Sequence, residues 1–355
     1  MTTVARPEVV ALAHARAAAR DARDWPEADR LLAAIEAAGW KVVDRGTSFQ
    51  LLPAHPPDLL EDGFVRYGRS DSVPSRLLET TTMEATIILV ATDDVAALRA
   101  TLSGLRRHAP VGSQVVLVAD APSDTVAASL LDSAGAAADP IGGSPLELIW
   151  TSTRLGNAAA WNAGLRRSLG AVVILLDLGL EPVGDLVGPL VRALDDPSVA
   201  VAGARGLVSV DLRHFEPSAD LDVDAIEGSC LAFRRADLSA RGPLDERFLG
   251  GRLLDVWWSL VLRDEGEGQP PRRAVVVGGL PLAPAAAGGR VVGGDPQRSG
   301  APEPTRTPER GGALTATDPA ARDRESRRNG YRILERFGRR PDLVAGRSSS
   351  VNRSG

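Results

Sequence analysis

The stretch that most constrains the fold of this chain is AVVILLDLGLEPVGD, at residues 171–185. Its opening run, 171–176, is apolar and too short to cross a membrane, so it predicts a strand buried on both faces. The run ends on Asp177, and the chain then turns through Gly179 and Pro182. In an open parallel α/β sheet, ligands bind beyond the carboxyl ends of the strands, where a carboxylate suits a ribose hydroxyl or a phosphate-bound divalent cation. An aspartate that only caps a turn is the alternative.

Strand and helix patterns alternate on both sides of this stretch, which predicts an α/β fold with a doubly wound, mostly parallel sheet. The predicted strands before Asp177 cover 85–91, 114–119 and 146–151. The predicted helices among them cover 95–108, 124–134 and 158–169. Later in the chain we predict strands over 199–210, 224–234 and 274–277, and a helix over 254–264.

The composition excludes several classes of protein. The chain has 355 residues, 44% of them hydrophobic and 25% charged, which is typical of globular domains. A net charge of −5 argues against a broad nucleic-acid-binding surface, so we expect no nucleic-acid partner. Cys230 is the only cysteine, which excludes an internal disulfide and a multi-cysteine zinc site. No transmembrane run and no signal-peptide core are present, so we expect a cytoplasmic protein, with peripheral attachment to a membrane left open.

The N-terminal residues 1–52 predict a helical module with a short hairpin. Alanine- and arginine-rich sequence with helical spacing covers 7–38, and Asp24 is placed to cap a second helix. Two short strands follow over 40–52. The stretch RDWPEADRLLAAIEAAGWKVVDRGTSFQL resembles the C-terminal appendage of cysteinyl-tRNA synthetases. Because the chain is acidic, a docking role is favoured over RNA binding.

The rest of the chain divides by composition. Residues 53–83 are rich in Pro, Gly, Ser and charge and predict a linker, followed by the main α/β domain over 84–282. Residues 283–321 are dominated by Gly, Pro, Ala and Arg and predict a flexible loop. A C-terminal helix is predicted over 322–345, and a disordered tail over 346–355.

Six segments of the chain, in order, resemble the family 2 glycosyltransferases of the GT-A fold. The resemblance extends over about residues 85–345 and implies that fold for the main domain. The six segments are IILVATDD (87–94), VVLVADAPSD (115–124), RLGNAAAWNAGLRRSLGAVVILLDLG (154–179), AIEGSCLAFRRADLSARGPLDERF (225–248), LDVWWSLVLRDEG (254–266) and RRNGYRILERFGRRPDLV (327–344).

The resemblance implies a pocket for a nucleotide-diphosphate sugar at the carboxyl edge of the sheet. For Asp120 the alternative is a turn residue, and for Arg154 it is a solvated surface charge. We predict that Asp177 shares one pocket with Asp93 and Asp120. The nucleotide-sugar-binding residues implied by the resemblance are Ala91, Asp93, Asp120, Arg154 and Asp177.

The family's metal site is incomplete in this sequence. Members of the family bind Mg²⁺ or Mn²⁺ through an Asp-x-Asp motif, of which Asp177 is the first residue here, whereas Gly179 occupies the third position. The family's late histidine is also missing, because the only histidines are His14, His55, His108 and His214. We therefore predict that a divalent metal binds weakly, through Asp177, and only together with the nucleotide.

The resemblance also implies a catalytic base and an acceptor side. Asp255 matches the carboxylate that takes the proton of the acceptor hydroxyl in an inverting transfer; a helix-capping role is the alternative. The acceptor-side candidates are Glu227, Asp245, Glu246, Trp257 and Trp258. For the two tryptophans, the alternative is packing in the core.

Together these patterns predict a glycosyltransferase that moves a sugar from a nucleotide-diphosphate sugar to an unknown acceptor hydroxyl, on a polysaccharide or a lipid-linked molecule. The alternative is a catalytically impaired protein of the same fold that binds nucleotide sugars or acts as a scaffold. Because the metal ligands are incomplete, we also consider Arg324, Arg327 and Arg328 as cations for the diphosphate, with a solvated helix face as the alternative.

Overall fold

The computed structural model describes residues 5–45, 48–61, 63–91, 93–135, 140–143, 146–248, 251–285 and 319–344. The helices are α1 (Pro7–Asp21), α2 (Trp25–Ala37), α3 (Val95–His108), α4 (Asp124–Gly135), α5 (Asn157–Leu165), α6 (Val187–Asp195), α7 (Arg235–Arg241), α8 (Leu254–Arg263) and α9 (Pro319–Phe337). The strands are β1 (Trp40–Arg45), β2 (Ser48–Pro53), β3 (Leu59–Glu61), β4 (Phe64–Tyr67), β5 (Met83–Ala91), β6 (Ser113–Ala119), β7 (Glu147–Thr151), β8 (Gly170–Leu176), β9 (Leu180–Pro182), β10 (Val199–Gly203), β11 (Gly206–Val208), β12 (Glu216–Ser218), β13 (Asp222–Val223), β14 (Ala225–Ile226), β15 (Cys230–Arg234), β16 (Arg273–Val276) and β17 (Leu282–Pro284).

A ten-stranded mixed sheet forms the centre of the molecule, with the order β13-β16-β10-β15-β8-β5-β6-β7-β4-β3. The five consecutive strands β8-β5-β6-β7-β4 are parallel to one another, whereas β15 runs antiparallel to both β8 and β10. The prediction of an α/β fold with a large, mostly parallel sheet, as in the GT-A fold, is therefore confirmed. Among the described helices, none combines the length and apolar character that a membrane span needs.

The two faces of the sheet carry separate cores because successive strand side chains point to opposite faces. In β5, Ile87 and Leu89 belong to a core that also includes Leu98 of α3. Ile88, which lies between them, belongs to the other core together with Ala160 of α5. A strand that is buried on both faces lacks polar alternation, which explains the continuous apolar runs in the sequence.

The N-terminal module has an apolar core of its own. Strands β1 and β2 form a separate hairpin, and Val9, Ile35 and Trp40 are buried between that hairpin and the two helices. Asp24 caps α2 by accepting a hydrogen bond from the amide of Glu27 at 3.2 Å. The helices and hairpin predicted for this part of the chain are therefore formed.

The segment predicted as a linker contributes two strands to the central sheet. β4 pairs in parallel with β7, and β3 pairs with β4 at the end of the sheet. The Arg66 guanidinium lies over the Trp150 ring, 5.4 Å from its centroid. This differs from the prediction over 53–83. Strands of three and four residues are too short for a readable period, and β7, which joins this pair to the sheet, is distant in sequence.

The C-terminal helix packs against α8. Phe337 of α9 meets Trp257 edge to face, with ring centroids 5.4 Å apart, and a 3-10 turn follows at Pro341–Leu343. α9 begins three residues before the start predicted for it. The predicted loop over 283–321 falls mostly outside the described residues, as does the predicted tail over 346–355.

Helix α5 approaches the sheet closely at Gly164, and this contact gives a stability prediction. A Cβ atom on Gly164 would lie 2.4 Å from Cγ2 of the buried Ile88 and 3.3 Å from Cγ2 of Val118. We expect Gly164→Ala to lower the free energy of unfolding by about 1–3 kcal/mol, because the overpacking exceeds the gain in helix propensity. In the matched control Gly330→Ala, the new Cβ meets nothing within 4 Å, so stability should rise by up to about 1 kcal/mol. Denaturant unfolding measures both changes, and equal stability of the two variants would contradict the prediction.

Candidate functional site

The site lies at the carboxyl edge of the central strands. β5 aligns in parallel with β6, with Ala91 opposite Ala119, and with β8, with Ile88 opposite Leu175. Because the three strands end at one edge, Asp120 and Asp177 follow neighbouring strand ends, with β5 between them. Two strand spacings put those ends about 10 Å apart.

Asp120 is buried and holds the loop that leads into α5. Its Oδ1 accepts hydrogen bonds from the Leu155 amide at 2.8 Å and from the Thr151 hydroxyl at 3.1 Å, and its Oδ2 accepts one from the Gly156 amide at 3.4 Å. Burial raises the pKa of the Asp120 carboxyl above its usual range, against the lowering effect of these bonds. Gly156 adopts φ 92°, which a residue with a side chain rarely does.

Arg154 lies at the outer rim of the same loop. Its Nη2 is 2.9 Å from Oδ2 of Asp93, whose side chain is 57% exposed. The amide of Asp120 donates to the carbonyl of Ala91 at 2.9 Å, which joins the ends of β5 and β6. The structure therefore brings Ala91, Asp93, Asp120 and Arg154 together, and Arg154 has a carboxylate partner rather than being only a solvated charge.

Asp177 closes the turn that follows β8. Its Oδ1 accepts from the Gly179 amide at 2.8 Å, and its own amide donates to the Ser229 carbonyl at 2.9 Å. These bonds fix Asp177 at the junction of β8 with the segment that precedes β15.

A resident divalent metal does not fit the described residues. Asp177 offers one carboxylate, one oxygen of which is already bound to the turn, and Gly179 offers no side chain. Glu181, two residues further on, is paired with Arg107 at 2.6 Å. Across the described parts of the chain, no cluster of three or more Asp, Glu, His or Cys side chains could hold a metal ion. The ligand set of an Asp-x-Asp centre is therefore not assembled by these residues.

Hydrogen bonds to two consecutive residues, Ser229 and Gly228, connect Asp177 to Asp255. Ser229 accepts the hydrogen bond from Asp177, and the Gly228 amide donates to Oδ2 of Asp255 at 2.8 Å. Asp255 is in the first turn of α8 but does not cap it. The cap residue is Leu253, which takes a left-handed conformation at φ 64°. Such a conformation is costly for leucine and directs the start of α8 toward Gly228.

Burial raises the pKa of Asp255 to about 6, and the neighbouring Glu227 carboxylate adds to the rise, while the amides of Gly228 and Val256 oppose it. A carboxyl with this pKa is mostly ionised at pH 7, yet it holds a proton far more readily than an exposed aspartate. That balance suits a group that must accept a proton.

The predicted acceptor-side residues do not form one surface. Glu227 lies beside Asp255, and its Oε2 is 3.8 Å from Nη1 of Arg205. Glu246 is exposed, and its Oε1 accepts a hydrogen bond from the side-chain amide of Asn162 at 2.9 Å. Asp245 accepts from Arg247 and lines the opposite side of α8. Only Glu227 is therefore placed beside the candidate base.

The tryptophans are also placed differently from the prediction. Trp258 is 1% exposed and packs edge-on against Phe233, with centroids 5.4 Å apart. Trp257 is buried between Phe248 and Phe337. Both are core residues because α8 is buried along its length, so neither offers an aromatic shelf beside Asp255.

Sequence reasoning missed two residues that the structure adds to the site. Thr151 supports Asp120, and Arg205 follows β10 and contacts Glu227. Thr151 carried a signal, because it ends a predicted strand that leads to the carboxyl edge. Arg205 carried none, because the predicted strand over 199–210 includes it, whereas β10 ends at Gly203.

The raised pKa of Asp255 predicts how stability depends on pH. The folded protein holds this proton more tightly than the unfolded chain, so the contribution is present below about pH 4 and is lost as pH rises through about 6. We expect wild type to lose about 3 kcal/mol relative to Asp255→Asn over that interval. Denaturant unfolding of both proteins from pH 4 to 7 measures the difference, and a pH-independent difference would contradict the assignment. Asp264→Asn, at the other end of α8, serves as the control.

Comparison with known proteins finds a family match over the strands that precede Asp120 and Asp177. The sequence model described as "Glycosyl transferase family 2" matches residues 86–240. No curated protein matches the chain. Similar solved structures include the mannosyltransferase PcManGT from Pyrobaculum calidifontis in complex with GDP-Man and Mn²⁺, at 19% identity and a TM-score of 0.45, covering 62% of each chain.

Two further structures are similar at lower coverage. GalNAc-T7 with UDP, GalNAc and Mn²⁺ is 14% identical, with a TM-score of 0.46, over 55% of this chain and 42% of that one. S. aureus TarS residues 1–349 are also 14% identical, with a TM-score of 0.42, over 56% and 59%. This chain thus covers less than two thirds of each of the three. The resemblance to the family 2 glycosyltransferases is confirmed by the match over residues 86–240, which contain β5 to β15 and the Asp120 and Asp177 strand ends.

Proposed function

We propose that this protein is a glycosyltransferase that uses a nucleotide-diphosphate sugar and transfers the sugar with inversion to an acceptor hydroxyl. The observation that carries the proposal is the position of Asp255, a carboxyl with a raised pKa that bonds to Gly228, whose neighbour Ser229 bonds to Asp177. Asp177, Gly228 and Ser229 lie within the glycosyltransferase match over residues 86–240, and Asp255 follows it. Asp177 and Asp255 belong to segments that are far apart in the chain, and hydrogen bonds to Ser229 and Gly228 bring the two residues together.

The nucleotide part of the donor fits between β6 and β8. Asp120 fixes the 151–156 loop, and Arg154 and Asp93 line its rim with one cation and one carboxylate. Asp177 lies about 10 Å away across the sheet, which is within the length of a nucleoside diphosphate. The donor would thus extend from the Asp120 loop toward Asp177, with its anomeric carbon directed at Asp255.

Asp255 acts as the base in this proposal. The acceptor hydroxyl gives its proton to the Asp255 carboxylate while its oxygen bonds to the anomeric carbon. The bond from that carbon to the diphosphate oxygen breaks, and the nucleoside diphosphate leaves with the electron pair. At neutral pH the base is mostly ionised, and Glu227 beside it disfavours loss of the accepted proton.

The diphosphate leaves with negative charge that must be compensated, since the described residues do not assemble a metal site. Arg154 is one cation at this edge. Others lie on α9. The Asn329 side chain donates to the Arg252 carbonyl at 3.1 Å, just before α8, and Phe337 packs on Trp257 within α8. α9 therefore runs in the same direction as α8, and its first half, with Arg324, Arg327 and Arg328, extends beyond the end of α8 that carries Asp255.

A second candidate function is nucleotide-sugar binding without transfer. Gly179 in place of the second motif acid favours it, because a metal normally supplies several kcal/mol of transition-state stabilisation. The acceptor, and a role at a polysaccharide or a lipid-linked molecule, stay open under both candidates.

The test of the proposal combines binding with turnover. Calorimetry with UDP, GDP and dTDP, with and without Mn²⁺, selects the donor base, and the matching sugar donors are then assayed for hydrolysis or transfer. We expect Asp255→Asn to lower turnover at least about 100-fold, with nucleotide affinity within about threefold of wild type. Asp264→Asn should retain turnover. Nucleotide binding without turnover in wild type would favour the second candidate, and tight Mn²⁺ binding without nucleotide would contradict the metal prediction.

The α9 arginines give a separate prediction. Changing Arg324, Arg327 and Arg328 together to Gln should weaken nucleoside-diphosphate binding by about tenfold and flatten its dependence on ionic strength, because charge-assisted bonds to phosphate oxygens are lost. Arg339→Gln, beyond the end of α9, is the control. Unchanged affinity with an unchanged salt slope would place these arginines on a solvated face.

A further inference from the structure

A cavity of about 390 Å³ lies between the loop after α7 and the helices α8 and α9. Its charged lining consists of Arg241, Arg247, Arg332 and Arg336 with Asp245 and Glu335, so positive charges exceed negative ones by two. The remainder of the lining includes Trp257 and Val261.

Two of the four arginines are neutralised by neighbours. Arg247 is paired with Asp245 at 2.6 Å, and Arg241 is paired with Glu265 at 2.5 Å. Both guanidinium groups are therefore engaged by carboxylates, which lowers their contribution to the net charge of the cavity.

Among the described residues, no carboxylate forms an ion pair with Arg332 or Arg336, although the Asp245 carboxylate, which pairs with Arg247, is close enough to feel the charge of Arg332. The Arg332 guanidinium lies 5.6 Å from the centroid of Phe248 and donates to the neutral Asn329 side chain at 2.7 Å. The Arg336 guanidinium lies 5.1 Å from the centroid of Trp257 and 5.2 Å from that of Phe337. Aromatic rings thus support both cations without neutralising them.

The spacing of the two arginines matches one turn of α9. Residues i and i+4 lie on the same helix face, with Cβ atoms about 6 Å apart. Because stacking already restricts both side chains, little rotamer entropy remains to be lost when they bind a ligand. Two planar forks at this separation can grip one group that bears several negative oxygens.

The cavity is separate from the proposed transfer site. The Asp255 carboxylate is bonded to Gly228, on the sheet side of α8. Trp257, two residues later, faces α9 and lines the cavity. Successive positions i and i+2 point to nearly opposite sides of a helix, so a ligand in the cavity would not contact the base.

We propose that this cavity is a binding site for a phosphate monoester or phosphodiester group, gripped by Arg332 and Arg336. A phosphoryl group is an anion that two guanidinium groups without ion pairs can bind, because its oxygens can accept from both forks. Asp245 and Glu335 restrict the site to a single compact anion by repelling further negative charge. The apolar surface of Trp257 and Val261 accommodates the carbon adjacent to the ester oxygen.

The test measures anion binding to the full chain. Inorganic phosphate and glycerol 3-phosphate are titrated by calorimetry into wild type, the Arg332→Gln/Arg336→Gln variant and the exposed-arginine control Arg339→Gln. We expect the double variant to lose affinity by about 100-fold, about tenfold per arginine, and the control to change less than twofold. Equal affinity in wild type and the double variant would overturn the proposal, as would wild type that binds neither these soluble probes nor the vesicles described below.

A second variant separates binding from structural support of the helix pair. Arg332→Lys/Arg336→Lys keeps the charges but removes the planar forks, so it should fold and bind phosphate with an intermediate loss of about tenfold. If this variant binds as tightly as wild type, the fork geometry is not used and the proposal fails in this form. Circular dichroism and unfolding confirm that each variant is folded before binding is compared.

A parallel experiment determines whether the phosphoryl group belongs to a lipid or to a soluble molecule. Sedimentation with phosphatidylcholine vesicles that contain 30% phosphatidylglycerol is compared with the soluble esters. Vesicle binding that is lost in the double variant would identify a lipid headgroup, whereas binding of the soluble ester alone would identify a small phosphorylated molecule. Vesicle binding that persists in the double variant, together with no soluble binding, would overturn the proposal.

Discussion

The antiparallel pairing of β8 with β15 is the interaction on which the candidate site depends. Cys230 lies opposite Leu176, so the residues before β15 are placed beside Asp177 as β8 ends. The Asp177 amide then bonds to Ser229, and the next residue, Gly228, bonds to Asp255. Without this register, Asp255 would be an acid at the start of a buried helix with no relation to the donor edge. One strand pair thus converts two distant segments, 171–179 and 225–255, into one site.

Electrostatics divides the surface around α8 into two chemically different sides. On the sheet side, the ion pair of Glu227 with Arg205 is the only one that Asp177, Glu227 or Asp255 forms with a described residue. Burial and the like charge of Glu227 raise the pKa of Asp255 to about 6. On the α9 side, stacked arginines leave positive charge uncompensated beside Trp257. Because a helix presents opposite faces at i and i+2, the two sides can act on different ligands while sharing one rigid element.

The sequence-based predictions that differ from the structure are those that depend on contacts between residues far apart in the chain. The predicted linker over 53–83 contains β4, which pairs with β7, and β3, which pairs with β4. No local sequence pattern predicts the pairing with β7. Trp258 was assigned to an acceptor shelf but is core, because α8 is enclosed by β10, β14 and α9. Asp245 and Glu246 are adjacent in sequence yet point to an arginine cavity and to Asn162. Adjacent side chains in a loop point in different directions, and only the surrounding packing determines which residues each one contacts.

By itself the sequence determined the strand and helix alternation, the apolar strands, and the carboxylates Asp120 and Asp177 after their strand ends. These follow from local periodicity and from the rule that parallel strands share a carboxyl edge. Only the tertiary structure decided that Asp255 contacts Gly228, that Arg205 meets Glu227, and that Arg332 and Arg336 rest on aromatic rings. Such contacts join residues that are far apart in the chain. Register, helix rotation and side-chain stacking fix them, and none of these leaves a signal in the local order of residues.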